Sequence, residues 1–332
     1  MIHPADIHRI LVIRRDNIGD LLCATPLIHA LRARFPHAAL DVLANAYNAP
    51  ILDGHPDIDR VVRYAKAKHS QTPKWLALWR EWRVYRDLKR RRYDLIVHAN
   101  PTVHPRTEIL MRYLRPRHAL GVSDSERGPY DLRLRPQDIQ GTHHAQRVFS
   151  LLRPLGIDGA PGPLFAPGRH ERKPQAPPVL GLHISSRRPC NRWPLDAFTD
   201  IIRDRLVRGW SCRLFWAPGP EDDPQHPGDD ARARRLLAAF PNQLHAVPTH
   251  TLEALRQGLA AVDFVLCGDG GALHLAAALG RPTIALFGCT DPTIWGPWGV
   301  PSRVLRGQGQ AADIAASAVL QALDELHREI TA

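Results

Sequence analysis

Two glycine-bearing turns, each set between a short apolar run and a helix-like stretch, constrain this chain more than any other feature. The first is Arg15-Asp16-Asn17-Ile18-Gly19-Asp20, after Ile10-Leu11-Val12-Ile13; the second is Cys267-Gly268-Asp269-Gly270-Gly271, after Phe264-Val265-Leu266. A strand that turns through glycine into a helix opens a βαβ unit, and the helix start gathers backbone N–H groups that attract negative charge. Two such turns, one in each half of the chain, predict paired α/β domains. A cleft between them would suit a phosphorylated or nucleotide-linked ligand.

The intervening pattern supports this. Leu40–Ala44, Arg60–Tyr64, Tyr93–His98 and Ala119–Val122 continue the strand series of the first half, with helices expected over Gly19–Phe35, Ala46–Asp53 and Thr142–Leu155. Residues 123–140 lack periodicity and read as a surface loop or irregular meander. The six prolines between Pro161 and Pro178 mark a stiff connection. Strands at Val179–Ile184, Cys212–Trp216, Phe264–Cys267 and Thr283–Phe287 then alternate with helices at Leu195–Val207, Asp230–Phe240, Leu252–Leu259 and Gly271–Leu279, and a short segment lies near His245. A long final helix spans Ala311–Ile330. The divisions are therefore a domain at 1–160, a linker at 161–178, a second domain at 179–310 and a terminal helix at 311–332.

A length of 332 residues is enough for two cores, and no apolar run approaches the roughly 20 residues that cross a bilayer. The chain enters its first strand without a signal-peptide pattern, and its five cysteines are scattered without a CxxC pair. They read as reduced and mostly buried, hence a cytoplasmic protein. The net charge of +11 favours anionic partners. Much of it lies in Arg80–Arg92, either a solvated amphipathic helix or a contact for a membrane surface or polyanion. No nucleic-acid motif accompanies the charge, so specific nucleic-acid binding is not expected.

The first turn is neither GxGxxG nor a P-loop. Asp20 either occupies a first helical turn, where a carboxylate is favourable, or faces the cleft as a general base. Asn17 and Gly19 shape the same turn. In the second turn, Asp269 suits a sugar hydroxyl or a backbone clamp, while His274 on the following helix is a ligand contact or a packing residue. Thr290, in Phe287-Gly288-Cys289-Thr290-Asp291-Pro292, could hold phosphate oxygens or belong to a plain turn. Trp295 and Trp298 could cover a base or sugar, or pack a lid. Ser185, Ser186, Arg187, Arg188 and Arg192 follow a strand and suit a diphosphate, because arginine offers forked, charge-assisted donors; a basic loop making surface ion pairs is the alternative. Glu221 could accept from a ribose diol. No metal site has the required ligand spacing.

Arg14 to Pro26, Arg192-Trp193-Pro194 and Gly268 through Pro292, in this order, resemble the ADP-heptose:lipopolysaccharide heptosyltransferases and the wider glycosyltransferase family 9. The resemblance spans nearly the whole chain. It implies a GT-B fold of two facing Rossmann-like, doubly wound α/β domains, the first binding acceptor and the second the nucleotide sugar. The final helix would return to brace the first domain. It also implies inverting, metal-independent transfer with no cofactor beyond an ADP-sugar co-substrate. Asp20 falls on the family's catalytic Asp, and Asp269 on the Asp that binds donor, with Gly270, Gly271 and His274 continuing that motif. Glu221 falls near the ribose-binding Glu. Many relatives carry Lys two residues before the Trp-Pro pair, where this chain has Asn191; either Arg192, Arg188 or Arg187 takes over its charge, or donor preference has shifted.

The resulting expectation is transfer of heptose from ADP-heptose to a hydroxyl of a lipopolysaccharide core or related anionic glycan. Asp20 would assist deprotonation, Asn17 and Gly19 would help bind the acceptor, and His104, Arg106 and Arg112 are candidates for its anionic groups. The protein would work in the cytoplasm, with possible contact at the inner membrane face. Transfer from another nucleotide sugar into O-antigen, capsule or a small glycoside is the nearest alternative. A non-catalytic nucleotide-sugar or polyanion-binding module is the alternative of a different class.

Overall fold

Each apolar run expected as a strand forms one, and all of them join parallel sheets. The computed structural model describes residues 2–65, 73–170, 176–223 and 227–332. They divide into two units, Met1–Gly162 and Pro163–Ala332.

The first unit runs β1 (Arg9–Ile13), α1 (Ile18–Leu22), α2 (Thr25–Arg34), β2 (Ala39–Asn45), β3 (Arg60–Tyr64), α3 (Lys74–Arg90), β4 (Leu95–His98), α4 (Pro105–Leu114), β5 (His118–Val122), β6 (Leu132–Leu134) and α5 (His144–Phe149). The second runs β7 (Val179–His183), α6 (Leu195–Val207), β8 (Ser211–Trp216), α7 (Asp230–Ala239), β9 (Leu244–Pro248), α8 (Leu252–Ala260), β10 (Phe264–Gly268), α9 (Gly271–Ala278), β11 (Thr283–Phe287), α10 (Pro292–Trp295), β12 (Ser302–Arg306) and α11 (Ala316–Thr331).

The sheet orders are β3-β2-β1-β4-β5-β6 and β12-β11-β10-β7-β8-β9. Counted from each unit's own first strand, both are the same doubly wound order, 3-2-1-4-5-6. The inner positions of the central strands are apolar because helices cover both faces of a parallel sheet. Leu11, Ile13, Leu43 and Ile96 belong to one core, and Leu180, Leu182, Phe264 and Leu266 to the other. In each sheet the order reverses beside the first strand, between β1 and β4 and between β7 and β10. Ligands of open α/β sheets bind beyond the carboxyl ends of the strands at such a switch point.

Several expectations require correction. Gly19–Phe35 is two helices, because Pro26 has no N–H to donate into the preceding turn and instead occupies the start of α2. The stretch 123–140 contains edge strand β6, and β12 also escaped notice. Both are edges lacking a continuous apolar run, with arginines at Arg133, Arg303 and Arg306. Residues 311–313 form a separate 3-10 turn before α11. The last helix is grouped with the second unit, where it packs on α6, β11 and β12 through Val319, Leu323 and Leu326, and Asp324 accepts from Arg205 at 2.7 Å.

The Pro-rich connection is also more fixed than a linker. Ala166 N donates to Ala278 O at 3.1 Å, and Arg169 donates to Ala277 O at 3.0 Å, strapping it to the end of α9. Its residues 171–175 lie outside the described residues. The reading of five reduced cysteines fails at one pair, since Cys190 and Cys289 form a disulfide across a separation of 99 residues. The loops after β7 and β11 converge at one end of the sheet, which spacing could not reveal. Cys23, Cys212 and Cys267 are buried thiols, and burial pushes Cys23 up to about 12.

Candidate functional site

In the first unit, β1 delivers Arg14 into the switch point. Its buried guanidinium donates to Ala99 O at 2.5 Å and to Asp20 Oδ1 at 2.6 Å, with Nε 3.4 Å from Asp16. Asp20 lies in the first turn of α1, where its Oδ2 accepts from Asn17 N at 3.1 Å and from Asn17 Nδ2 at 3.0 Å. Burial alone would raise its pKa. The contact with His144 and the charge of Arg14 reverse that effect and hold the carboxyl well below 3.8. Asp20 is therefore ionised, and its side chain keeps 13 % exposure, enough to meet a ligand.

His144, at the start of α5, places Nε2 2.8 Å from the same Arg14 nitrogen and 3.3 Å from Asp20 Oδ1. Burial and Arg14 lower its pKa, so the ring is neutral near pH 7. One neutral ring nitrogen cannot accept from Arg14 and donate to Asp20 at once, so its tautomer sets which of the two it serves, while the His144 contact and the Arg14 charge both act to hold the Asp20 anion. Neither Arg14 nor His144 was identified from sequence. The position of Arg14 at the strand end was a usable signal, whereas nothing local marked His144, 130 positions from its partner.

Beside this cluster a pocket is lined by Arg15, Asp16, His98, Asn100, His104 and Arg106, among others. Arg15 donates to Tyr85 Oη at 2.8 Å and Thr107 Oγ1 at 3.0 Å, fixing a cation in the wall. His98 is buried and held well below 6.5 by burial and by the nearby charges of His104, Arg14 and Arg15. Its Nδ1 lies 3.0 Å from Tyr130 Oη. His104 and Arg106 thus share the pocket. Arg112 does not line it and donates to Arg127 O at 2.9 Å on a different part of α4.

The second unit builds a different centre from equivalent loops. Beyond β7, Ser185 Oγ accepts from Ala217 N at 2.8 Å, and Ser186 Oγ donates to Arg188 O at 3.2 Å. Arg192 donates through Nε to Ser186 O at 3.0 Å and through Nη1 to Glu221 Oε1 at 2.8 Å. Arg187 and Arg188 are exposed. Trp193 is buried and anchors the loop by donating from Nε1 to Ile314 O at 2.9 Å.

Asn191 is the hub of this centre. Its Nδ2 reaches Thr290 Oγ1 at 3.2 Å and Asp269 Oδ2 at 3.4 Å, while its Oδ1 accepts from Gly288 N at 3.0 Å. The turn carrying it lies directly on the sheet ends: a Cβ at Gly268 would come within 2.8 Å of Asn191 O, and one at Gly288 would collide with Cys190 O. Glycine is required at both places by close approach of backbone. Burial raises the pKa of Asp269, opposed by Thr290, the Arg188 charge and Asn191. Gly270 and Gly271 lead into α9, whose buried His274 meets Trp295 edge-on at 6.0 Å. Most of the donor-side residues named from sequence therefore gather at one sheet end, in contact with one another. Among the described residues, no group of three or more His, Cys, Asp or Glu has a geometry for holding a metal ion.

The profile of glycosyltransferase family 9 (heptosyltransferase) matches residues 81–321. Lipopolysaccharide heptosyltransferase 1 of Pseudomonas aeruginosa is 28% identical over 306 residues, covering 88% of this chain and 81% of that protein. Lipopolysaccharide heptosyltransferase 3 of Escherichia coli K12 is 28% identical over 302 residues, covering 84% and 82%. Among solved structures, E. coli heptosyltransferase WaaC with ADP superposes with a TM-score of 0.77 at 23% identity, covering 96% of this chain and 99% of that one. The fold is shared over practically the full length.

Proposed function

Since this chain belongs to glycosyltransferase family 9, and is a glycosyltransferase of the heptosyltransferase type with the GT-B fold, we propose that it moves a heptose from ADP-heptose to a hydroxyl of a lipopolysaccharide core or related anionic glycan. The second unit binds the donor. Arg187, Arg188 and Arg192, with Ser185, Ser186 and Thr290, surround the diphosphate, and the start of α9 at Gly270 and Gly271 adds backbone N–H groups. Asp269 takes sugar hydroxyls. Glu221, now paired with Arg192, accepts from the ribose diol when the diphosphate draws that arginine away.

The acceptor oxygen attacks the anomeric carbon on the face opposite the diphosphate. The carbon–oxygen bond to the β-phosphate breaks, ADP leaves with the electron pair, and the acceptor proton passes to Asp20. One displacement inverts the anomeric centre and needs no enzyme nucleophile. Asp20 is a weak base at rest, so its role is to receive a proton that becomes acidic only as the new bond forms. Charge growing on ADP is met by guanidinium groups, which is why no metal is invoked. His104 and Arg106, sharing a pocket with Arg15, bind acceptor phosphates or carboxylates. The site of action is the cytoplasm, at the inner membrane face.

The observation that carries this reading is the Asp20 carboxylate at the first unit's switch point, 2.6 Å from Arg14 and still partly open. Incubation with a panel of nucleotide sugars and a truncated core acceptor tests it. Release of ADP from ADP-heptose, dependent on Asp20, is the expected result. Selective turnover of another nucleotide sugar would move the assignment to the nearest alternative, with Asn191 the first residue to examine: a neutral amide, where the resemblance implies lysine in many relatives, alters the charge that meets the donor.

A further inference from the structure

Helix α3 has two faces of opposite chemistry. Val84, Tyr85 and Leu88 turn toward the core of the first unit. The acids of the helix are occupied too: Glu81 accepts from Tyr85 Oη at 2.8 Å, and Asp87 pairs with Arg60 at 2.7 Å. The outer face is aromatic and then cationic. Trp75, Leu78, Trp79 and Trp82 recur at the spacing of one helical stripe and are 70, 59, 47 and 48% exposed. Arg83, Arg86 and Arg90 extend that face toward the end of the helix. The Arg83 guanidinium lies 4.8 Å from the Trp79 ring centroid, and that of Arg86 lies 4.4 Å from Trp82. Among the described residues, the ion pairs of this helix and its exit are Arg60–Asp87 and Arg91–Asp41, which leave the outer arginines without a carboxylate.

Exposed tryptophans beside unneutralised arginines call for a surface that is apolar just below and anionic just above. A bilayer interface has this layering: indole rings settle at headgroup depth, and arginines meet lipid phosphates. A second copy of the chain fits less well, because a two-fold contact would oppose the same cations on both copies. No described helix is long and apolar enough to cross a membrane, so the helix lies in the interface plane.

We infer that the outer face of α3 seats this protein on a bilayer containing anionic phospholipids, with Trp75, Trp79 and Trp82 at headgroup level and Arg83, Arg86 and Arg90 against lipid phosphates. This names the lipid class and the residues behind the membrane contact; it rests on the proposed function for its purpose, a glycolipid acceptor residing in such a surface, and on α3 alone for its chemistry.

The test uses the full chain and vesicles of phosphatidylcholine, with or without phosphatidylglycerol. Sedimentation with the anionic vesicles, a blue shift of tryptophan emission and weakening by salt are expected. The W75A/W79A/W82A variant should lose about tenfold or more in partitioning. The R83Q/R86Q/R90Q variant, which keeps the apolar stripe, should lose about tenfold on anionic vesicles only, and its residual binding should no longer respond to salt. Circular dichroism and melting curves verify that both variants fold. Wild-type protein that stays in the supernatant, or binding untouched by both triple variants, would overturn the inference. A concentration-dependent dimer abolished by the tryptophan variant would assign the face to a second copy instead. Absent vesicle binding with intact turnover sinks only this surface; vesicle binding with no turnover of any nucleotide sugar sinks only the proposed reaction.

Discussion

The two units share one strand order but oppose each other in the electrostatics of their switch points. In the first, a carboxylate follows the first strand's loop and is held ionised by a buried guanidinium, with Asp20 Oδ1 2.6 Å from Arg14. In the second, arginines and serines follow the first strand, and the carboxylate comes after the fourth, where Asp269 is hydrogen-bonded by the neutral groups of Thr290 and Asn191 and feels Arg188 only as a nearby charge. The Asp20 pKa is lowered while that of Asp269 is raised. Topology therefore fixes where a centre forms, and the charge of the neighbours fixes what it can do. An anion supported by a buried cation suits proton acceptance, whereas a carboxylate among amide and hydroxyl groups suits holding hydroxyls.

The widest separation between the centres should come from Asp20→Asn. Transfer is expected to fall by about 10²–10⁴, the usual range for a positioned acid–base group, with donor affinity by calorimetry almost unchanged. A comparable loss of donor affinity would erase the distinction between the units.

Arg14→Met comes next. It strands a buried carboxylate, and chemical denaturation near pH 7 should show a loss of about 3–5 kcal/mol. The sign follows from the lowered pKa. The contribution of the pair is present above 3.8 and is lost as pH falls through the lower folded value, so wild type and variant should converge in acid. The acid limb of the rate profile should move upward in the variant. Parallel stability curves across that range would show that Asp20 owes its ionisation to something else.

Asn191→Ala should act on the other centre. Gly288 N loses its acceptor, and Asp269 and Thr290 lose the amide, a destabilisation of about 1–3 kcal/mol accompanied by weaker nucleotide binding. Unchanged binding would reduce Asn191 to a packing role. The smallest effect belongs to Arg112→Ala. Among the described residues its guanidinium donates to a single carbonyl at the surface, so acceptor KM should shift less than about twofold and stability less than about 0.5 kcal/mol. A large KM change would place Arg112 with His104 and Arg106 after all.

Much of this was legible in the sequence, because buried parallel strands such as Ile10–Ile13 and Phe264–Cys267 are continuous apolar words between glycine turns. Edge strands were not: β6 and β12 mix arginine with leucine, as half-exposed edges do. Asp20 and Asp269 could be found since each sits in its own turn. Their partners could not, since His144 and Asn191 reach them only through the fold, across 130 positions from Arg14 and 78 from Asp269. The same limit hid the Cys190–Cys289 disulfide.

The indole of Trp193 ties the arginine-bearing loop to Ile314, immediately before the last helix. A premature stop codon shortly after residue 310 would delete no arginine from that loop, yet it would remove the carbonyl from which the loop hangs. Because the same stop strips Val319, Leu323 and Leu326 from the second core, such alleles should present first as loss of the folded second unit, with nucleotide-sugar capture lost along with it.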